Sequence, residues 1–167
     1  QITTISKMSF ADGIMETGES TSVSGYLNDK FAINEINGYL YVLATDSDKE
    51  TEVNSLHVFD GEMKETGVLN EIARGELVYA ARFVGNYVYF ITYKQTDPLF
   101  VADISNPSEP KLLGELEVSG FSEYLHIWDD THVLGIGYGD SDRKTIKLTM
   151  FDVSDPAHPV EENQKIF

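Results

Sequence analysis

Apolar and polar positions alternate along most of this chain with the period of two that half-buried strands require. Three stretches carry the pattern twice over, as hairpins: FAINEINGYLYVLAT turns at Asn37-Gly38, YAARFVGNYVYFITY at Gly85-Asn86, and YLHIWDDTHVLGIG at Asp129-Asp130. Asn-Gly and its relatives supply the positive φ angles that tight hairpins need. A third apolar run follows each hairpin and closes on an aspartate: LHVFD (56–60), LFVAD (99–103) and LTMFD (148–152). Strands apolar on both faces are buried on both faces. Tyr41, Leu43, Tyr89, Ile91 and Trp128 are therefore expected between sheets.

Beyond Asp103 and Asp152 the chain reads DISNPSEP (103–110) and DVSDPAHP (152–159). Both fit Asp, Ile or Val, Ser, Asn or Asp, Pro, two free positions, Pro. The prolines stop the third strand, because Pro cannot donate to a ladder, and the Ser and Asn or Asp suit a reversal. A fourth, more polar segment follows each turn, KLLGELEV (111–118) and PVEENQKIF (159–167). In the first unit that slot is held by GEMKETGVLNEIARGE (61–76), the nearest approach to a helical pattern, which Gly67 interrupts.

The unit is four short strands in about 46 residues, near the period of propeller blades. The expected fold is all-β, a β-propeller fragment of about three and a half four-stranded antiparallel blades. Residues 1–29 supply the outer strands of a preceding blade, TTISKMSF (3–10) and TSVSGYL (21–27) around the ADG turn. Full blades follow at 30–73, 74–118 and 119–167. Propellers close with about four blades or more, so a chain of this count that begins at Gln1 reads as a piece of a larger ring.

Composition narrows the partners. Twelve Lys and Arg against 28 Asp and Glu give a formal charge of −16, a field that repels phosphate backbones and anionic lipid. Nucleic acid is thus a poor partner. With no apolar run of about 18 residues, membrane insertion is not expected either. The chain has no cysteine, which rules out disulfides, thiolate metal sites and cysteine nucleophiles.

The stretches GYLNDKFAINEINGYLYVLAT, ARFVGNYVYFITYKQTDPLFVADISNPSEPKLLGELEVSGFSEYLHIWDDTHVLGIG and IKLTMFDVSDPAHP, in that order, resemble a bacterial family of secreted proteins. That family carries a C-terminal β-propeller distantly related to WD-repeat propellers. The resemblance covers most of the chain from Gly25 onward. It implies a propeller displayed outside the cell or at its surface, and it brings no catalytic residues with it.

Three constellations are candidates for function. Asn34, Arg82 and His126 fall in register when the hairpins are aligned, each a polar interruption of an apolar first strand. First strands border a propeller's central channel, so these groups form either a hydrogen-bonded set between blades or a ring for an anion or polar ligand, the former being the simpler account. Arg74, Glu76, Lys94, Gln95, Asp97, Phe121 and Glu123 lie in loops expected on one rim, where a rigid scaffold carries binding groups. The loops TDSDKET (45–51) and GDSDRKT (139–145) share paired aspartates, but the adjacent base and missing distal Glu argue against calcium. No metal or cofactor is expected. The sequence favours a non-catalytic extracellular scaffold binding a protein or cell-wall glycan through its rim loops. The alternative is a glycan-acting hydrolase or lyase with acids at the channel mouth. Uncovered blade faces also predict self-association.

Overall fold

The computed structural model of the chain describes residues 1–47, 51–93, 97–118, 120–139 and 143–167. Among them are fourteen strands and one single-turn 3-10 helix. A two-stranded hairpin, β1 (Ile2–Ala11) and β2 (Ile14–Ser24), comes first. Three four-stranded antiparallel meanders follow. The first sheet holds β3 (Ile33–Ile36), β4 (Tyr39–Ser47), β5 (Glu52–Phe59) and β6 (Glu65–Ile72). The second holds β7 (Leu77–Val84), β8 (Tyr87–Tyr93), β9 (Asp97–Asp103) and β10 (Lys111–Val118). The third holds β11 (Phe121–Ile127), β12 (His132–Tyr138), β13 (Ile146–Asp152) and β14 (Val160–Ile166). The stretch 61–76 is strand β6 with its flanking turns.

Turn chemistry sets the register. Asn37 and Gly38 both take positive φ, 52° and 81°, which is the type I′ requirement for a two-residue hairpin. Asp12 and Gly13 do the same at 53° and 79°. The second strand of that hairpin consequently begins at Ile14, well before the 21–27 segment expected from its apolar content. The polar run between them tolerates strand geometry because both faces there are exposed. The third hairpin is looser. Its loop spans 128–131, and Asp129 Oδ1 accepts from the Thr131 backbone N–H at 2.8 Å.

Successive side chains of β4 and of β8 enter opposite interfaces. Tyr41 and Leu43 face the second sheet, while Val42 and Ala44 pack with Val23 of the hairpin. Val88 and Phe90 join the first of these cores, whereas Tyr89 and Ile91 join the core with Leu125, Val133 and Phe151. Tyr41, Leu43, Tyr89 and Ile91 are buried as expected. Trp128 is not; it is 61% exposed, because it begins the loop just beyond β11, where the alternation has ended.

The repeated proline turn is an intersheet joint. Asp103 Oδ1 accepts from Ser105 N at 2.7 Å, and Asn106 Oδ1 from Ser108 N at 3.2 Å. In the second copy Asp152 and Asp155 cap Ser154 and Ala157 in the same way, at 2.8 and 3.1 Å. These caps fix the turn so that Ile104 and Val153, each 3% exposed, plug the cores shared with the preceding sheet. The turns also seat against glycines there. A Cβ on Gly67 would lie 2.3 Å from Pro107 O, and one on Gly114 would lie 2.7 Å from Ala157 O. Gly67 pairs with Val58 and Gly114 with Val101, beside a one-residue bulge in each case. The corresponding partner of Met150 in the third sheet is Asn163.

Candidate functional site

The strands β3, β7 and β11 each lie at an edge of their sheet, and β7 packs against β11 and against the 3-10 turn before β3. That turn, Lys30–Ala32, forms because Asp29, extended at φ −150°, accepts the Phe31 N–H on Oδ1 at 2.7 Å. The cap directs Phe31 onto β7.

Arg82 of β7 is held there between two rings. Its Cζ lies 3.7 Å from the Phe31 centroid and 4.3 Å from the Tyr124 centroid of β11. The two rings meet edge to face, 6.2 Å apart at 80°, so the guanidinium sits in the wedge between them. Cation–π contacts of this kind are worth about 1–2 kcal/mol each when desolvated. Arg82 Nη1 donates to the Ala81 carbonyl, whereas Nη2 is buried and has no hydrogen-bond partner among the described residues. The whole residue is only 9% exposed. An orphaned charged donor of this sort costs on the order of 1–3 kcal/mol until an acceptor reaches it. A cavity of about 280 Å3 adjoins it, lined by Lys30, Phe31, Ile33, Asn34, Arg82 and Phe83.

Asn34 and Arg82, aligned in the sequence, thus line one cavity. His126 does not; it is exposed farther along β11, outside the lining. Among the described residues no hydrogen bond joins the three, and Arg82 is held by an aromatic wedge. Sequence reading passed over Phe31 and Tyr124. The Asn28-Asp29-Lys30 cap ahead of Phe31 was a usable signal, as was the two-residue spacing of Tyr124 from His126, which puts both on one face.

Three of the seven rim candidates have partners among the described residues. Glu76 Oε2 accepts from Thr92 Oγ1 at 2.5 Å, and Arg143 reaches Glu123 at 3.0 Å. Arg74 lies 3.9 Å from Glu71 at an exposed edge. Lys94 and Gln95, with parts of both paired-aspartate loops, lie outside the described residues. So do the side chains of Asp97 and Phe121, which stand at the first positions of β9 and β11. Beneath the rim, buried Asn54 accepts from Thr45 at 2.6 Å and donates to the Ile72 and Glu76 carbonyls at 3.0 Å each, clipping the first sheet to the crossover into the second.

A separate ionic group lies at the turn side of the third sheet. His132 Nδ1 is 2.9 Å from Asp129 Oδ1, and its Nε2 is 3.5 Å from Glu162. The Asp129 hydrogen bond holds the imidazole above its ordinary range. Asp129 in turn is lowered, first by the Thr131 backbone N–H and then by His132. Among the described residues no group of three or more His, Asp or Glu is placed to hold a metal ion.

Three interlocked four-stranded meanders, inner strands side by side, are blade architecture. The sequence profile of the Beta propeller domain matches residues 1–167. The chain belongs to the β-propeller domain family. An uncharacterised protein of Methanocaldococcus jannaschii is 40% identical over 146 residues, covering 86% of this chain and 23% of its own length. Another, of Archaeoglobus fulgidus, is 40% identical over 152 residues, covering 91% of this chain and 24% of itself. The propeller chain therefore spans about a quarter of the length of the curated relatives it matches. These relatives are archaeal. A mutant of the Synechocystis apocarotenoid oxygenase superposes with a TM-score of 0.50 at 10% identity, over 77% of this chain and 35% of that one. That likeness is one of fold.

Proposed function

We propose that this β-propeller is a non-catalytic binding scaffold, displayed outside the cell, that takes a protein or cell-wall glycan ligand. The observation that carries this reading is the cavity beside Arg82. It combines a fixed, buried donor without an acceptor, apolar walls and an exposed amide at the lip, which is how ligand sites are generally built. This reading adds a contact on the inner strands to the rim loops expected from the sequence. Support against the hydrolytic alternative comes from the rim acids. Glu123 is paired with Arg143 and Glu76 is hydrogen-bonded by Thr92, so both carboxyl groups are engaged within the chain.

The test uses the full-length protein. Its location is read by protease accessibility on intact cells, and its ligands by a glycan array and by cross-linking to surface proteins. Saturable binding without turnover is expected. Cleavage of a bound glycan, or protection from protease until the cells are lysed, would overturn the proposal.

A further inference from the structure

The geometry around Arg82 points to one class of ligand: a hexuronic acid unit, seated with its carboxylate toward Arg82 where that residue lines the cavity and its ring against the aromatic wall. The inference rests on the binding-scaffold reading and names what that scaffold takes. Four observations converge on it. First, the donor is prepared in advance. Phe31 and Tyr124 grip the guanidinium, and its Nη1 is committed to the Ala81 carbonyl, so Nη2 cannot swing away to find water. A single charged donor of this kind is matched by an anionic oxygen, which a carboxylate supplies.

Second, the charge balance favours a single negative group. One buried donor is unsatisfied, and Lys30 adds one more cation to the lining, while the chain as a whole carries −16. A phosphate dianion or a run of acidic residues meets that field with more than one charge and is repelled accordingly. Third, the space is that of one ring. The cavity measures about 280 Å3, close to the lower end of small-ligand pockets at about 300 Å3. An aspartate or glutamate side chain alone would leave much of it empty. Fourth, the walls suit a sugar. Phe31, Phe83 and Ile33 offer apolar surface to the C–H face of a pyranose. Asn34, exposed on β3, offers both a donor and an acceptor to ring hydroxyls.

The probe is sodium D-glucuronate titrated into the 167-residue chain at fixed ionic strength. Calorimetry and the ring resonances of Phe31 and Tyr124 report binding, with D-glucose as the uncharged control. Saturable glucuronate binding is expected, with glucose weaker by about tenfold or more, the loss of one charge-assisted hydrogen bond. Arg82→Gln removes the preference. Because that change also dismantles the aromatic wedge, Asn34→Ala and Lys30→Gln serve as exposed-site variants. Each is expected to weaken glucuronate severalfold at an unchanged thermal midpoint. Equal binding of glucose, or glucuronate binding indifferent to all three substitutions, overturns the site. N-acetylglutamate amide binding more tightly than glucuronate overturns the sugar assignment in favour of a protein carboxylate. Saturation by none of these compounds also overturns it. The two readings fail separately. A macromolecular ligand bound equally by the full-length protein and its Arg82→Gln form removes this site and leaves the scaffold standing. Glucuronate binding with no ligand found for the full-length protein does the reverse.

Discussion

Replacing Gly67 by alanine tests whether the proline turn is a joint or merely a loop. The new Cβ would stand 2.3 Å from Pro107 O, 2.9 Å from Ser108 C and 3.1 Å from Pro110 Cδ. The first of these is roughly 1 Å inside ordinary contact. Two of the three neighbours are backbone atoms, and the turn that holds them is pinned by Asp103 and Asn106, so the clash cannot be relieved by rotating a side chain. The turn must lift and carry Ile104 partly out of the core it shares with the first sheet. Overpacking of this kind costs about 1–3 kcal/mol, less about 0.4–1 kcal/mol gained because alanine restricts the unfolded chain. The net expectation is a loss of about 1.3 kcal/mol, a fall of about 3–5 °C in thermal midpoint for a chain of this size. Gly18→Ala in β2 is the matched control, since its nearest neighbour outside the local chain, Lys7 O, is 3.6 Å away. Urea unfolding and thermal melts of both variants read the difference. A Gly67→Ala protein as stable as its parent, with Gly18→Ala also unchanged, would refute the joint.

Asn54→Ala leaves the Ile72 and Glu76 carbonyls without their buried donor, and a loss of about 1–3 kcal/mol in urea unfolding is expected; a change under about 0.5 kcal/mol would show that water takes its place. Stability should peak at intermediate pH. His132, raised chiefly by Asp129, stabilises fully below about pH 6.5 and loses its contribution as pH rises through its folded value, whereas Asp129, Asp152 and Asp155, all lowered, lose theirs as pH falls below the ordinary carboxyl range. Asp129→Asn should flatten the alkaline side of a midpoint-against-pH curve, and an unchanged slope would count against the pairing. Exposed apolar groups on the β1–β2 hairpin (Met8, Phe10, Ile14, Met15) and beside β14 (Ile146, Ile166, Phe167) predict concentration-dependent association, which light scattering after gel filtration would contradict by showing a monomer at millimolar protein.

The fold was legible wherever local chemistry and alternation agreed. Asn37-Gly38 announced its turn, and the doubly apolar run from Tyr87 to Thr92 announced a central strand, because both signals act within a few residues. Trp128 misled for the complementary reason: its size says core, but its place one step past β11 decides. The proline turn was legible as a stop, and its docking was not. Gly67 and Gly114 are small on account of another sheet's backbone, although the shared offset in KETG (64–67) and KLLG (111–114) was available as a clue. At the site, the register of Asn34 with Arg82 survived into three dimensions. The aromatic wedge did not show, since Phe31 and Tyr124 are 93 positions apart and meet only because the inner edges of the sheets converge.

The turn-in-glycine joint gives the array a direction. The second sheet inserts its turn at Gly67 of the first, and the third inserts its turn at Gly114 of the second, so cohesion is a chain of nearest-neighbour couplings, not one shared centre. In such a chain a defect at Gly67 uncouples the first sheet from the second and leaves the Gly114 joint intact, as in other one-dimensional repeat arrays. Asn163 stands where the third sheet would present its socket, so a turn of this design has no seat there. Amide exchange should accordingly report the two joints separately, a Gly67→Ala change loosening the seam between the first and second sheets without loosening the next.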